Sequence, residues 1–195
     1  MRRIGQWTVG AMTLCVGIAF SPVAHGDPDL DGLSQVDDKT FHTYSTYGAG
    51  GWLFIAPGGV HCRIMTFMRW SGPPEAKCWG ALPGVEAGEN YAFAVAHRSG
   101  GDSSEPLSGV QKLADISSFE TRHVYSYEPR QGPDLVDPSA YHVLPSGSKL
   151  VAEGPGSNVI CGVRALDTIC VIEGTRDGES WREGFVLSPN GSHAI

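Results

Sequence analysis

Two short segments carry residues that could do chemistry together. "GGVHC" (58–62) places His61 beside Cys62, and "GGDSSEP" (100–106) places Ser103 after Asp102. An imidazole is a general base near neutral pH, and a serine hydroxyl becomes a nucleophile when such a base takes its proton. The pair would perform acyl transfer, with His61 as base and Ser103 as nucleophile. A glycine directly after the serine would leave room for backbone donors around an oxyanion, but Ser104 stands there.

The two segments resemble, over a few residues, the histidine and serine segments of chymotrypsin-like proteases. Ser103 follows His61 by only 42 residues, too few for the barrels that separate those segments. Gly101-Asp102-Ser103 also resembles the nucleophile motif of GDSL-type esterases. That fold needs several helices and a late Asp-x-x-His, and neither is present. Motifs this short are weak evidence. A hydrolase with His61 and Ser103 is therefore the alternative reading, and no catalytic residue is assigned. G-x-S-x-G, H-E-x-x-H, phosphate-loop and dinucleotide fingerprints are absent from the sequence. The histidines are scattered, and only His61 neighbours a cysteine of the body of the chain, so no metal set and no cofactor is implied.

What would position such groups is a β framework. The chain has 26 glycines and 13 prolines in 195 residues, and turn signals recur at 48–51, 71–74, 82–90, 99–106, 130–134 and 153–158. Between them lie short alternating runs such as "VHCRIMTF" and "YAFAVAHR". This pattern predicts an all-β single domain, a sandwich or barrel of short antiparallel strands with at most one short helix. The helix candidate is "LSGVQKLADISSF" (107–119), from the spacing of Leu107, Val110 and Leu113.

The start of the chain reads as an address. Arg2 and Arg3 precede an apolar run over Thr8–Phe20 and then Ala24-His25-Gly26. Basic, apolar and small residues in that order predict a secretory signal peptide over 1–26. The apolar run is shorter than the roughly 20 residues of a membrane span, so no transmembrane anchor is expected. Cys15 lies inside the run, after Leu14, and leaves with it. Residues 27–40 are acidic and polar and predict a flexible arm; residues 41–195 form the domain. The formal net charge is −7, and loss of two leader arginines makes the exported chain more acidic. Nucleic acid is thereby disfavoured as a partner. The expected location is extracellular or in the cell envelope.

Export gives Cys62, Cys78, Cys161 and Cys170 a disulfide context. Of three possible pairings, Cys62–Cys78 and Cys161–Cys170 are favoured because each closes a local loop. Placing Cys161 opposite Cys170 sets Gly162 against Ile169, Val163 against Thr168 and Arg164 against Asp167. Ala165-Leu166 is then a two-residue turn, although such turns prefer Asn-Gly or glycine. Pro-x-Gly occurs at Pro57, Pro145 and Pro189, each between apolar runs, and predicts three strand reversals. By comparison with "PNGSH" (189–193), His61 is expected to point outward after such a turn, with Cys62 inward.

Trp52, Trp70, Trp79 and Trp181 all fall near turns and are the candidate binding residues. A glycan, a lipid or a protein of the envelope is the candidate partner. The segment 71–80, "SGPPEAKCWG", is a further candidate, as a loop that a secreted inhibitor would present.

Gly51-Trp52-x-Phe54, Pro57-x-Gly59, Cys62 and Cys78-x-Gly80-x-Leu82-Pro83-Gly84 form one set of spaced residues. Leu144-Pro145-x-Gly147, Cys161, Cys170 and Gly184-Phe185-x-Leu187-Ser188-Pro189-x-Gly191 form another. Together they resemble a family of small exported proteins of mycobacteria and related actinobacteria, over most of the chain from about residue 40. The resemblance implies export and two local disulfides. It carries over no catalytic residue. The function expected is a non-enzymatic binding or cell-envelope interaction module.

Overall fold

In Val60–Phe67 every second side chain is buried: Val60, Cys62, Ile64 and Thr66 turn inward. A period of two with one apolar face is the signature of a strand covering a core on one side. The same rule organises the whole computed structural model, which describes residues 29–46, 49–67, 72–96, 107–122 and 134–195. The signal peptide expected over 1–26 lies outside the described residues, as do Trp70 and Ser103.

The strands, numbered along the chain, form two sheets and a small pair. The first sheet holds β2 (His42–Thr46), β3 (Ala49–Ala56), β4 (Val60–Phe67), β5 (Glu75–Trp79), β6 (Tyr91–Val95), β7 (Ser108–Gln111) and β10 (His142–Val143). The second holds β1 (Ser34–Gln35), β11 (Ser148–Gly154), β12 (Ser157–Arg164), β13 (Asp167–Arg176), β14 (Glu179–Leu187) and β15 (His193–Ala194). β8 (Thr121–Arg122) pairs with β9 (Asp134–Leu135).

Each sheet contains an antiparallel five-strand meander with one short parallel strand at its edge, and in the first sheet β2 also pairs antiparallel with β3. β3 to β7 run in order and β10 adds parallel to β3; β11 to β15 run in order and β1 adds parallel to β11. Each lead-in strand joins the later or earlier meander, not the one nearest in sequence, and so ties the sheets together. The sheets face each other across one core that mixes Phe54, Cys62 and Ile64 with Val159, Cys161 and Phe185. The result is a sandwich with open edges rather than a closed barrel.

The disulfides occupy equivalent places. Cys62–Cys78 joins β4 to β5 and Cys161–Cys170 joins β12 to β13, each between directly opposed residues of the second and third meander strands. All four sulfurs lie in the core. The β12–β13 hairpin has the predicted register, with Arg164 opposite Asp167 and Ala165-Leu166 at the turn. Ala165 meets the turn's demand by adopting φ +54°. In the β13–β14 hairpin, Asp177-Gly178 supplies two left-handed residues, the pattern a two-residue turn favours.

The Pro-x-Gly elements reverse or redirect the chain as expected. Ser148 N–H closes the Pro145 turn on the Pro145 carbonyl at 3.1 Å, and Gly191 N–H closes the Pro189 turn on Ser188 at 3.0 Å. Gly84 packs beneath this last turn, where a Cβ would stand 2.7 Å from Gly191 N.

Two expectations are corrected. The helix over 107–119 does not form. Ser108–Gln111 is strand β7, and only Ser117–Glu120 makes a 3-10 turn. Val110 pairs with Ala92, and Gly109 lies opposite Phe93, whose ring occupies the space a Cβ at 109 would need (2.6 Å). Sheet pairing overrides a weak helical stripe. The arm over 27–40 is also not free where it is described. Leu30 and Leu33 are buried against Ile169 and Val171 on the outer face of the second sheet. They fit because Gly162 has no side chain there (2.5 and 2.6 Å from an added Cβ). β1 then pairs with β11, and Lys149 Nζ donates to the Leu30 carbonyl at 3.1 Å.

Candidate functional site

The outer face of the first sheet carries a second apolar cluster. Leu53, Trp79 and Tyr91 project from β3, β5 and β6, and Val136, Tyr141 and Phe119 cover them from the segments that follow β7. Phe119 stacks on Tyr91 with ring centroids 4.7 Å apart. One carboxylate pins this cover. Glu120 Oε1 accepts from His61 Nδ1 and from Trp79 Nε1, each at 2.7 Å, and Oε2 accepts from the Tyr141 hydroxyl at 2.7 Å. His61 stacks on Tyr141 (4.2 Å, 22°), and the Arg63 guanidinium stands 5.7 Å from the Trp79 ring.

The electrostatics follow from that geometry. Burial by itself would raise the Glu120 pKa. The hydrogen bonds from Trp79, His61 and Tyr141 outweigh it and hold the carboxyl below the usual range. Tyr141 moves the other way: burial, then the bond to Glu120, push its hydroxyl up. A carboxylate on Nδ1 fixes the imidazole ring and turns its Nε2 edge away from Glu120, the arrangement of a carboxylate-oriented histidine. Among the described residues no hydroxyl or thiol hydrogen-bonds to His61, so the base has no nucleophile within this cluster. His61 is thus on the outward side of β4, as its place after the turn implies, but it is half-covered and partnered.

The tryptophans separate into different environments. Trp52 lies in the main core, its ring against His42 (centroids 5.2 Å). Trp79 is buried under the Glu120 cover. Trp181 is half-buried at the start of β14, where it packs on the main core and lines a cleft. The segment 71–80 is not a free loop over its second half: Glu75–Trp79 is a central strand of its sheet, and Cys78 and Trp79 are buried.

The cleft encloses about 740 Å³ at the end of the second sheet where β11 turns into β12 and β13 into β14. Across the ladder, Ser157, Gly174 and Trp181 form one row, and Asn158, Glu173 and Arg182 form the next. Gly156 keeps the cleft open, since a Cβ there would meet nothing within 4 Å. Thr175 and Ser180 complete the rim, while the indole of Trp181 turns to the core side of the sheet and rests over Gly174. Hydroxyl, amide, carboxylate and guanidinium groups gathered on this rim can hydrogen-bond the edge of a polar ring.

Trp181 was among the residues singled out by type and position. Its polar neighbours were not, because Asn158, Glu173 and Arg182 come together only through the β12–β13–β14 register. Glu120 was missed for the same reason, lying 59 residues from His61. Among the described residues no cluster of three or more His, Cys, Asp or Glu could hold a metal, and no helix is long and apolar enough to cross a membrane. No family model, curated protein or solved structure matches this chain.

Proposed function

We propose that this protein is an exported, non-enzymatic binding module of the cell envelope, with the Trp181 cleft as its site and an envelope glycan as its ligand. The observation that carries the reading is the composition of the cleft. A lipid chain needs aliphatic walls, and this lining has none; a sugar needs many hydrogen-bonding groups, and Asn158, Glu173, Thr175, Ser180 and Arg182 supply them. The two buried disulfides support export, because such bonds persist in oxidising compartments. The leader-like first 26 residues and the resemblance to small exported actinobacterial proteins point the same way.

A hydrolase is the second reading, favoured by one observation: Glu120 holds His61 as a carboxylate holds a catalytic base. Against it, Glu120 also accepts from Trp79 and Tyr141, which is what a structural clasp requires.

Co-sedimentation with protein-free actinobacterial cell walls that retain their polysaccharides tests the proposal. The full chain should sediment with the walls. Asn158→Ala and Glu173→Gln should each weaken retention severalfold by loss of a hydrogen bond to the ligand, while His61→Ala should bind like the parent. A parent chain that stays in the supernatant, or cleft variants that bind unchanged, would overturn it. Turnover of a wall fragment that disappears in His61→Ala would favour the hydrolase.

A further inference from the structure

The register of β11 to β14 lines up four polar side chains in one row. Glu153 lies opposite Asn158, Asn158 opposite Glu173, and Glu173 opposite Arg182. Each stands three residues along its strand from a core residue, Leu150, Cys161, Cys170 or Phe185. An odd step reverses the face, so all four project from the outer face of the second sheet. With strands about 4.8 Å apart, a row of four reaches about 14 Å across the sheet. Glu153 and Asn158 are exposed, and Glu173 and Arg182 are half-buried.

The neighbours of this row decide which way a polar chain can lie on it. Two residues further toward the middle of the sheet, the same face carries Val151, Ile160, Val171 and Gly184. Val171 is buried with Leu30 and Leu33, and Gly184 is paired with Ile195. In the other direction Thr175 and Ser180 face each other on β13 and β14, while β11 and β12 have already turned between Gly154 and Ser157. A chain running along the strands would therefore leave the polar band after one step and meet apolar residues. A chain running across them meets one hydrogen-bonding side chain on every strand.

Charge narrows the ligand further. The row holds two carboxylates and one guanidinium. Lys149, which lines the adjoining groove over Ile160, is engaged by the Leu30 carbonyl. An acidic group placed on the row would face like charge from Glu153 and Glu173, a repulsion that a hydroxyl does not meet.

From this row we infer that the ligand is an uncharged, hydroxyl-rich glycan laid across β11–β14, extending past the cleft to Glu153. Resting on the reading of the cleft given above, it is held at its centre by Asn158 and Glu173. Arg182 and Ser180 bond its oxygens at one end, and Glu153 accepts from its hydroxyls at the other.

The test uses polysaccharide released from the same cell walls by partial hydrolysis and separated by anion exchange into neutral and acidic pools, each titrated calorimetrically against the full chain. The neutral pool should bind and the acidic pool should bind at least tenfold more weakly. Glu153→Gln should weaken the neutral pool severalfold. Glu86→Gln, an equal change of net charge at an exposed position of the 82–90 turn region, should bind like the parent. An acidic pool that binds as well as the neutral one, both weakened by Asn158→Ala, would overturn the uncharged ligand and leave the cleft reading standing. A Glu153→Gln variant like the parent, beside a weakened Asn158→Ala, would overturn the placement across the strands and also leave the cleft. Failure of both pools to bind, with no retention on walls, would overturn both readings.

Discussion

Gly174 lies directly opposite Trp181 across β13 and β14, and a Cβ at 174 would stand 2.9 Å from the indole and 2.6 Å from the Gly156 carbonyl oxygen. The ring therefore rests in a seat that only glycine leaves vacant. Gly174→Ala should push the indole out of that seat and crowd the β11–β12 turn. Overpacking of this kind costs about 1–3 kcal/mol, read as a fall in thermal midpoint. The same variant should lose wall retention. Gly178→Ala, also at the β13–β14 hairpin but in open space, should lower stability through its φ of +85° and leave retention intact. Equal loss of retention in both would argue against the ring seat.

Glu120 is the clasp between the first sheet and the segments that cover it. Its carboxyl is held below the ordinary value near 4.3. A depressed folded-state pKa stabilises the fold above the ordinary range, and the contribution is lost as pH falls through the folded value. Glu120→Gln should accordingly cost about 1–2 kcal/mol at neutral pH, after allowance for a carboxylate that is one-third exposed. The difference from the parent should shrink as pH is lowered below about 4. Denaturant titrations from neutral to acid pH check this. A gap between the two proteins that is constant across that range would show that Glu120 acts by shape and not by charge.

Much of this was legible in local sequence and little of it in distant pairs. The β12–β13 hairpin could be placed residue by residue because Cys161, Cys170, Arg164 and Asp167 lie within one reversal, where a two-residue period allows a single register. The local disulfides followed from the same reasoning. The stripe at Leu107, Val110 and Leu113 misled because Gly109 and Val110 answer to Phe93 and Ala92 on a neighbouring strand. The acidic arm misled because its two leucines find a site, over Gly162, that only the assembled sheet creates.

One signal was present and unread. Val36-Asp37 and Val136-Asp137 each lead into a 3-10 turn, then a buried aromatic, Phe41 or Tyr141, then a histidine. In both, the aspartate accepts from the backbone N–H two residues on. The two lead-ins stand 100 residues apart in the sequence. Their aromatics diverge in use: Phe41 enters the main core and Tyr141 holds Glu120.

Ala165 is the least comfortable residue in the best-predicted element. It carries a side chain at φ +54° in the first turn position of the Cys161–Cys170 hairpin. An L-residue in the left-handed region costs about 1–2 kcal/mol, and glycine does not incur that cost. Glycine also loses more freedom on folding, so the net gain of Ala165→Gly should be about 0.5–1 kcal/mol. For a chain of this size that is a rise of about 1–4 °C in midpoint. Leu166, the second turn residue, is exposed and lacks a positive φ, so Leu166→Gly should instead lower stability by about 0.5–1 kcal/mol. Thermal unfolding of the oxidised protein separates the two. Opposite signs at adjacent exposed positions would locate the strain in the backbone of Ala165, and equal signs would place it elsewhere in the hairpin.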